Sequence, residues 1–245
     1  MFGFSFDKRM LYIILIIIII SGIRPYLENQ DLLISLLLSI PGLLIAITFH
    51  EFAHAYAADK LGDDTPRNQG RLNLNPLSHL DPVGCIMLLF ARIGWGKPVE
   101  IDPRNFNRNI SMSKGEAIVS VAGPLMNFIL AIIFAFIYFL VLRINPLFYL
   151  TKTGGIVASI LTSTFMINIG LGLFNLIPLP PLDGSKILKN YLPYNAKVWF
   201  EKYEMVFYFI FIALWVTNLA GVIIAPAINW VGNVIWRFMA LILGI

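Results

Sequence analysis

The amino-acid sequence predicts an all-α polytopic membrane protein with about six transmembrane helices. Of its 245 residues, 58% are hydrophobic and only 13% are charged, whereas a typical soluble domain carries about 25% charged residues. A mean hydropathy of +0.78 agrees with this imbalance. The chain is therefore too poor in charge to cover a soluble surface, and its long apolar runs are of the kind that cross a bilayer.

The apolar segments define the predicted helices in chain order. The first runs from Met10 to Ile23 and follows two basic residues, as a signal peptide would. No small-residue cleavage site comes after it, so we interpret it as an uncleaved first helix. The other five segments cover residues 32–58, 117–142, 156–177, about 203–219 and 222–245.

Residues 59–114 form an amphiphilic region between the second and third helices. The stretch "GRLNLNPLSHLDPVG" (70–84) first alternates apolar and polar residues and then reaches Pro76, Pro82 and Gly84. Alternation is typical of strands, and closely spaced proline and glycine prevent a continuous span. We therefore expect a short membrane-associated β/loop region here.

The distribution of basic residues predicts the orientation in the membrane. With both termini inside, the inner segments hold 14 of the 18 Lys and Arg residues, as the positive-inside rule requires. This topology places residues 50–54 and Asp183 toward the cytoplasmic side. The net charge of +4 comes with no clustered basic stripe, so we expect the lipid bilayer as a partner and no nucleic acid.

The strongest chemical signal is "HEFAH", which places His50, Glu51 and His54 inside an apolar segment. Residues four apart on a helix project from the same face, so both imidazoles can share one cation. Imidazole nitrogens suit zinc, and a neighbouring glutamate can serve as a general base. An unpaired buried carboxylate is costly, and no basic residue lies between Asp31 and Lys60 to pair with it. The motif therefore predicts a metal site.

A catalytic zinc site needs a third protein ligand and an open position. Four residues are candidates from their residue type: His79, Asp81, Glu116 and Asp183. Asp183 is favoured because "NLIPLPPLDG" (175–184) breaks a helix near the membrane end. The alternative for Asp183 is an N-cap of a short following helix. A lone histidine such as His79 is more often structural.

Two motifs together resemble a known family. "HEFAHA" and "NLIPLPPLDG" are similar to the paired signatures of the site-2 protease family of intramembrane zinc metalloproteases, and "AGPLMN" (122–127) resembles a further family segment. The resemblance implies one zinc per chain held by His50, His54 and Asp183, with Glu51 as general base. It also implies Asn175 as a donor to the oxyanion, although a helix C-cap is an equal alternative from the residue alone.

The resemblance also implies a substrate and a domain organisation. The expected substrate is a membrane protein with a transmembrane helix, cut in or near that helix, as in regulated intramembrane proteolysis. We expect one membrane protease domain over residues 1–245, with a catalytic core at about 32–190, two C-terminal helices at 203–245 and no PDZ or CBS domain. Substrate identity and oligomeric state are left open by the sequence.

Other functions and roles stay open at this stage. A cation transporter or metal-binding membrane module would also place ligands beside a broken helix, but the outward half of the chain has almost no ionisable residue. A prenyl-protein-type protease would use a glutamate as third ligand. Residues 96–102 could pair with an unwound substrate or form an ordinary interfacial hairpin. Asn127 is expected to support core packing or hydrogen bonding, and a contribution to the site is the alternative.

Overall fold

The computed structural model describes residues 22–82, 84, 96–217 and 219–245. Residues 22–28 are helical, and one-turn helices lie at Thr65–Asn68, Pro76–His79, Pro103–Asn105 and Phe148–Leu150. The longer helices are α1 (Gln30–Lys60), α2 (Met112–Ile144), α3 (Lys152–Asn175), α4 (Asp183–Tyr191), α5 (Tyr194–Lys202), α6 (Glu204–Val216) and α7 (Leu219–Leu243).

Four of these helices, α1, α2, α3 and α7, are long and apolar enough to cross a membrane, and α6 is a shorter apolar helix. Their outer faces expose large apolar side chains such as Leu125 and Phe136 on α2 and Phe209 on α6. Such surfaces suit lipid and not water. The predicted all-α membrane fold is thereby confirmed. Most of the first predicted helix, residues 10–21, lies outside the described residues.

Helices α1, α2 and α3 form the centre of the molecule, and each packs against the other two. The crossing of α1 and α3 depends on Gly42, where a Cβ would lie 2.8 Å from the Cα of Thr164. Helix α7 packs on α2 and α3 through a cluster that includes Phe139, Phe165 and Met239. This close packing fixes the inner faces of the three central helices relative to one another.

The segment between α3 and α4 turns the chain back onto the end of α3. Prolines 178, 180 and 181 prevent α3 from continuing. Helix α4 then begins at Asp183 and packs against α2. A Cβ on Gly184 would overlap the backbone carbonyls of Leu176 and Ile177, so this close return of the chain requires glycine.

In the described part of 59–114, turns and one-turn helices stand where the sequence predicted strands, and the β structure there is one antiparallel bridge between Leu80 and Gly96. The physical reason lies in the asparagines of the alternating stretch. The Asn73 side chain accepts the Asn75 N–H at 2.8 Å, and the Asn75 side chain accepts the Leu77 N–H at 3.1 Å. Such local bonds compete with strand pairing.

Buried Asp63 joins the two ends of this region, just after α1 and just before α2. Its carboxylate accepts hydrogen bonds from the Thr65 hydroxyl at 2.6 Å, the Asn105 amide at 3.0 Å and the Asp102 N–H at 2.7 Å. Burial alone would raise the pKa of Asp63, but these hydrogen bonds lower it below its usual value. The loop at 102–105 is thus held against the end of α1. The division of the chain into a core and C-terminal helices stays a prediction.

Candidate metal centre

The two histidines of "HEFAH" lie on one face of α1, as their spacing predicts. Both are buried, and their Nε2 atoms are 3.0 Å apart. The two rings meet edge to face, with centroids separated by 4.6 Å. Two ring nitrogens at this distance need a proton or a cation between them, because two lone pairs repel each other.

Asp183 completes the group from the first residue of α4. Its Oδ2 atom lies 3.2 Å from His50 Nε2 and 3.1 Å from His54 Nε2. Asp183 is far from the histidines in the sequence. The proline-rich turn and the close backbone contact at Gly184 bring it to them in space. These three side chains form the group in the described residues that could hold a metal ion.

The second ring nitrogen of each histidine is engaged away from this group. His54 Nδ1 lies 2.7 Å from the carbonyl oxygen of Val119, and His50 Nδ1 lies 2.7 Å from Asn127 Oδ1. A backbone carbonyl only accepts, so His54 carries a proton on Nδ1, and in the neutral ring its Nε2 lone pair faces the group. This is the arrangement that metal-binding histidines adopt.

The donor set fits zinc. Two nitrogens bound about 2.0–2.1 Å from a tetrahedral zinc lie about 3.3 Å apart, close to the distances among the three donor atoms. Two imidazoles and one carboxylate are ligands found in catalytic zinc sites, which keep a fourth position open. The residues present therefore fit the metal that their pattern predicts.

Gly123 on α2 allows the histidines to approach that helix. A Cβ at this position would overlap the imidazole of His54 and lie 2.7 Å from His50 Cε1. The glycine belongs to the "AGPLMN" segment and lies one helical turn before Asn127. The sequence pointed to Gly123 only through the "AGPLMN" segment. The spacing of residues does not reveal that a glycine lies against two histidines.

Glu51 lies beside the group on α1 and is half-buried. Its Oε2 atom accepts a hydrogen bond from the Val99 N–H at 3.2 Å. A Cβ on Gly96 would lie 3.3 Å from Glu51 Oε1, so the stretch 96–101 passes directly over the carboxylate. The structure thus connects Glu51 to a segment that the sequence had left with two interpretations.

Asn175 is the last residue of α3 and is half-buried. Its Nδ2 atom donates to the carbonyl oxygen of Leu171 at 3.1 Å, which uses one of the two amide hydrogens. The side chain lines the same cavity as His50, Glu51 and Asp183. Both interpretations of this residue, a helix-end bond and a donor to substrate, are therefore compatible with its position.

The group lies in the wall of a cavity of about 1100 Å³. Most of the lining is apolar and comes from membrane-spanning helices and from α6, for example Leu43 and Ile47 of α1 and Phe211 of α6. The polar lining includes Glu51, the metal group and Lys186. The cavity can therefore accommodate an apolar polypeptide segment next to the candidate metal site.

The other sequence candidates for the third ligand lie apart from the group. His79 is fully buried, and its Nε2–H donates to the carbonyl oxygen of Asn73 at 2.7 Å. Asp81 accepts the Gly84 N–H at 2.7 Å and so caps a turn. Glu116 is in the second turn of α2, outside the group of described residues that could share a metal. The structure brings Asp183 to the histidines and not these three.

Sequence reasoning missed Val119 and Asn168. Val119 contributes only its backbone carbonyl, so its side-chain identity carries no signal. Asn168 is a fully buried asparagine in the middle of α3 and hydrogen-bonds to Asn127 at 2.9 Å. An asparagine amid the apolar residues of a predicted span was the available signal, since polar residues within such spans are costly.

Fold and site together define a polytopic membrane protein with a two-histidine, one-aspartate metal group. The sequence profile of Peptidase family M50 matches residues 142–217. YwhC of Bacillus subtilis, named as a candidate zinc metalloprotease, is 37% identical over 187 residues, which is 76% of this chain and 84% of YwhC. The chain therefore belongs to peptidase family M50, the site-2 protease family, and is a zinc metalloprotease of that family.

More distant relatives carry similar names. Rip2 of Mycolicibacterium smegmatis, also named as a candidate zinc metalloprotease, is 30% identical over 64% of this chain and 58% of its own length. Zinc metalloprotease MJ0392 of Methanocaldococcus jannaschii is 26% identical over 73% of this chain and 40% of its own length. No solved structure gives a significant match. These names favour a protease over a transporter.

Proposed function

We propose that this chain is an intramembrane zinc endopeptidase that hydrolyses a peptide bond in or near a transmembrane helix of another membrane protein. The observation that carries the proposal is the position of the metal group in the wall of an apolar cavity lined by membrane-spanning helices. A soluble substrate would not need such a lining. An apolar segment removed from lipid would find similar surroundings there.

His50, His54 and Asp183 would hold one zinc ion per chain. When bound, zinc lowers the pKa of a coordinated water toward about 7 and polarises a carbonyl group. The three side chains would supply three protein ligands, and a catalytic zinc keeps its fourth position open. The third ligand would be an aspartate and not the glutamate expected of a prenyl-protein-type protease.

Glu51 would act as general base. It follows the first ligand directly in the sequence, and its carboxylate lies on the cavity wall next to the metal group. It would accept a proton from the attacking water and later deliver it to the leaving amine. The Val99 N–H holds one carboxylate oxygen at 3.2 Å and so restricts the orientation of the side chain.

Asn175 would stabilise the oxyanion that develops on the scissile carbonyl. Its Nδ2 atom has a second hydrogen that is not engaged by Leu171. Loss of one such donor costs on the order of a hundredfold in rate or more in well-studied hydrolases. The same bond to Leu171 keeps the amide at the cavity wall.

The stretch 96–102 would hold an unwound substrate by strand pairing. It lies outside the helices, it passes over Glu51, and Val99 and Ile101 line the cavity. The N–H groups of Glu100 and Ile101 take part in none of the hydrogen bonds within the described part of the chain. Backbone pairing would offset the hydrogen bonds that a substrate helix loses when it opens.

The active site would face the cytoplasmic side of a cell membrane. This orientation is supported by the excess of Lys and Arg in the segments that lie on the same side as residues 50–54 and Asp183. The substrate would thus be cut near its cytoplasmic end. The sequence of that substrate and the number of copies in the active assembly are open.

Cleavage by the Glu51→Gln variant tests the proposal. We expect purified Glu51→Gln to retain about one zinc per chain and to lose cleavage of single-pass membrane proteins reconstituted with it by about 100- to 10,000-fold. Glu116→Gln is the matched control, because it also removes one carboxylate charge but lies outside the metal group. It should cleave as the wild type does.

Two results would contradict the proposal. Full activity of Glu51→Gln would exclude Glu51 as the base. Zinc uptake into liposomes by wild-type protein, without cleavage of any reconstituted membrane protein, would favour the transporter alternative.

A further inference from the structure

A continuous chain of hydrogen bonds links one candidate metal ligand to two buried asparagines on two other helices. His50 Nδ1 lies 2.7 Å from Asn127 Oδ1, and Asn127 Nδ2 donates to Asn168 Oδ1 at 2.9 Å. Asn127 Nδ2 also donates to the carbonyl oxygen of Ala46 at 3.1 Å, and Asn168 Nδ2 donates to the carbonyl oxygen of Thr164 at 2.8 Å. We call His50, Asn127 and Asn168 the amide relay.

The relay lies where unpaired polar groups are most costly. Asn127 and Asn168 are both fully buried, at the centre of the bundle formed by α1, α2 and α3. Away from water, every amide hydrogen and oxygen needs a protein partner. Asn127 meets this requirement with one acceptor and two donor contacts, so its orientation is strongly determined.

The direction of the relay follows from the backbone carbonyls at its ends. The carbonyl of Ala46 can only accept, so the atom of Asn127 that faces it must be Nδ2. Asn127 Oδ1 is then the atom that faces His50, and His50 Nδ1 must carry the proton. The carbonyl of Thr164 orients Asn168 by the same argument. In the neutral ring, His50 Nε2 is thereby left with its lone pair directed at the metal group.

We propose that Asn127 is a positioning residue that fixes His50 as the tautomer protonated on Nδ1, and that Asn168 holds the Asn127 amide from α3. The proposal rests on the zinc site of the proposed function and not on proteolysis itself. Without Asn127, the Nδ1–H of His50 would lose its buried acceptor. A proton on Nε2 would then block the nitrogen that should bind the metal.

The two histidines are held in different ways, which makes the proposal testable by mutation. His54 Nδ1 meets the backbone carbonyl of Val119 at 2.7 Å, and no side-chain substitution removes that acceptor. His50 depends on a side chain alone. Substitution of Asn127 should therefore affect one ligand and leave the other in place.

Nitrogen NMR of ¹⁵N-histidine-labelled, metal-free wild-type protein tests the tautomer directly. His50, assigned by comparison with His50→Gln, should show a protonated Nδ1. A His50 ring without a proton on Nδ1 in this sample would overturn the proposal, and this result does not depend on any substitution at Asn127.

Zinc affinity, measured by competition with a chelator, tests the roles of the two asparagines. Asn127→Leu should raise the zinc Kd about 10- to 100-fold, the range found for partners of ligating histidines. Asn127→Asp keeps an oxygen for the His50 Nδ1–H and should stay within about fivefold of wild type. Asn168→Leu should raise the Kd about two- to fivefold, because Ala46 still orients Asn127.

Asn233→Leu is the matched control, since Asn233 is an exposed asparagine of α7 with no side-chain hydrogen bond in the described part of the chain. It should bind zinc as wild type does.

Thermal unfolding separates positioning from packing. Asn127→Asp loses both donor contacts and should unfold at a lower temperature while keeping zinc. Zinc binding lost equally in Asn127→Asp and Asn127→Leu would overturn the positioning role. Normal zinc binding by folded Asn127→Leu would do the same.

Wild-type protein that binds zinc with the expected tautomer but cleaves nothing would contradict the proposed function alone. The relay would still hold in that case. Cleavage that is lost in Glu51→Gln, together with unchanged zinc binding in Asn127→Leu, would contradict the relay alone.

Discussion

His50 and His54 lie on consecutive turns of the regular helix α1, whereas Asp183 follows an irregular proline-rich segment at the end of α3. The histidines are placed by helix geometry and by close packing against α2. Asp183 is placed by a chain reversal in which Gly184 lies against the backbone of Leu176 and Ile177, directly after α3. The helix-borne half of the site, His50 and His54, therefore depends on packing between helices, and the loop-borne half, Asp183, depends on the conformation of one turn.

The largest effect is expected at Gly123, which tests the helix-borne half. A methyl group in Gly123→Ala would overlap both imidazoles, so two ligands would have to move together. We expect the zinc Kd to rise by on the order of a hundredfold or more, measured by chelator competition. Gly155→Ala is the control, because a Cβ there meets no atom within 4 Å. Unchanged zinc affinity in Gly123→Ala would contradict this packing account.

Gly184→Ala tests the loop-borne half and should have a smaller effect. Its Cβ would overlap the carbonyls of Leu176 and Ile177, so the turn must open and displace Asp183 alone. We expect a rise of about 10- to 100-fold in the zinc Kd, with both histidines still bound. Histidine NMR of the zinc-loaded variant checks that point. An effect on the His50 and His54 signals equal to that of Gly123→Ala would mean that the two halves are not independent.

The smallest effect is expected at Asp63. Its side chain holds the loop that passes over Glu51, and it is not one of the candidate metal ligands. The folded pKa of Asp63 lies below its unfolded value of about 3.8. Its contribution to the free energy of unfolding is therefore fully present above pH 3.8 and is lost as the pH falls through the folded pKa. Asp63→Asn should lower the unfolding temperature near neutral pH by a few degrees, at about 2–4 °C per kcal/mol.

Scanning calorimetry in detergent between about pH 2 and pH 7 checks this dependence. The Asp63→Asn variant should lose part of the acid sensitivity of the wild type. Asp64→Asn is the control, because Asp64 is an exposed neighbour whose side chain forms no capping bond. Equal shifts of the unfolding temperature in Asp63→Asn and Asp64→Asn would contradict the role of Asp63 in holding this loop.

The sequence predicted most of the fold and the helix-borne part of the site. Apolar runs predicted α1, α2, α3 and α7 because a bilayer requires long apolar helices. The four-residue spacing of His50 and His54 predicted their shared face because helical geometry is local. These features need no knowledge of tertiary contacts.

Contacts distant in sequence could not be predicted in the same way. The role of Asp183 as third ligand was predicted from a helix break and from the family resemblance, because no periodicity connects residues 54 and 183. Alternation in the stretch 70–75 predicted strands, but Asn73 and Asn75 satisfy local backbone groups instead. The relay through Asn127 and Asn168 depends on the crossing of three helices, and neither residue has a spacing that reveals its partner.

Zinc K-edge X-ray absorption of the purified protein reports directly on the proposed set of metal ligands. We expect one zinc per chain with two imidazole ligands at about 2.0–2.1 Å and the remaining ligands oxygen atoms at about 2.0–2.2 Å. In Asp183→Ala the two imidazoles should remain. Three imidazoles, which would require His79, or a sulfur ligand at about 2.3 Å, which would require Cys85 or a methionine, would contradict it.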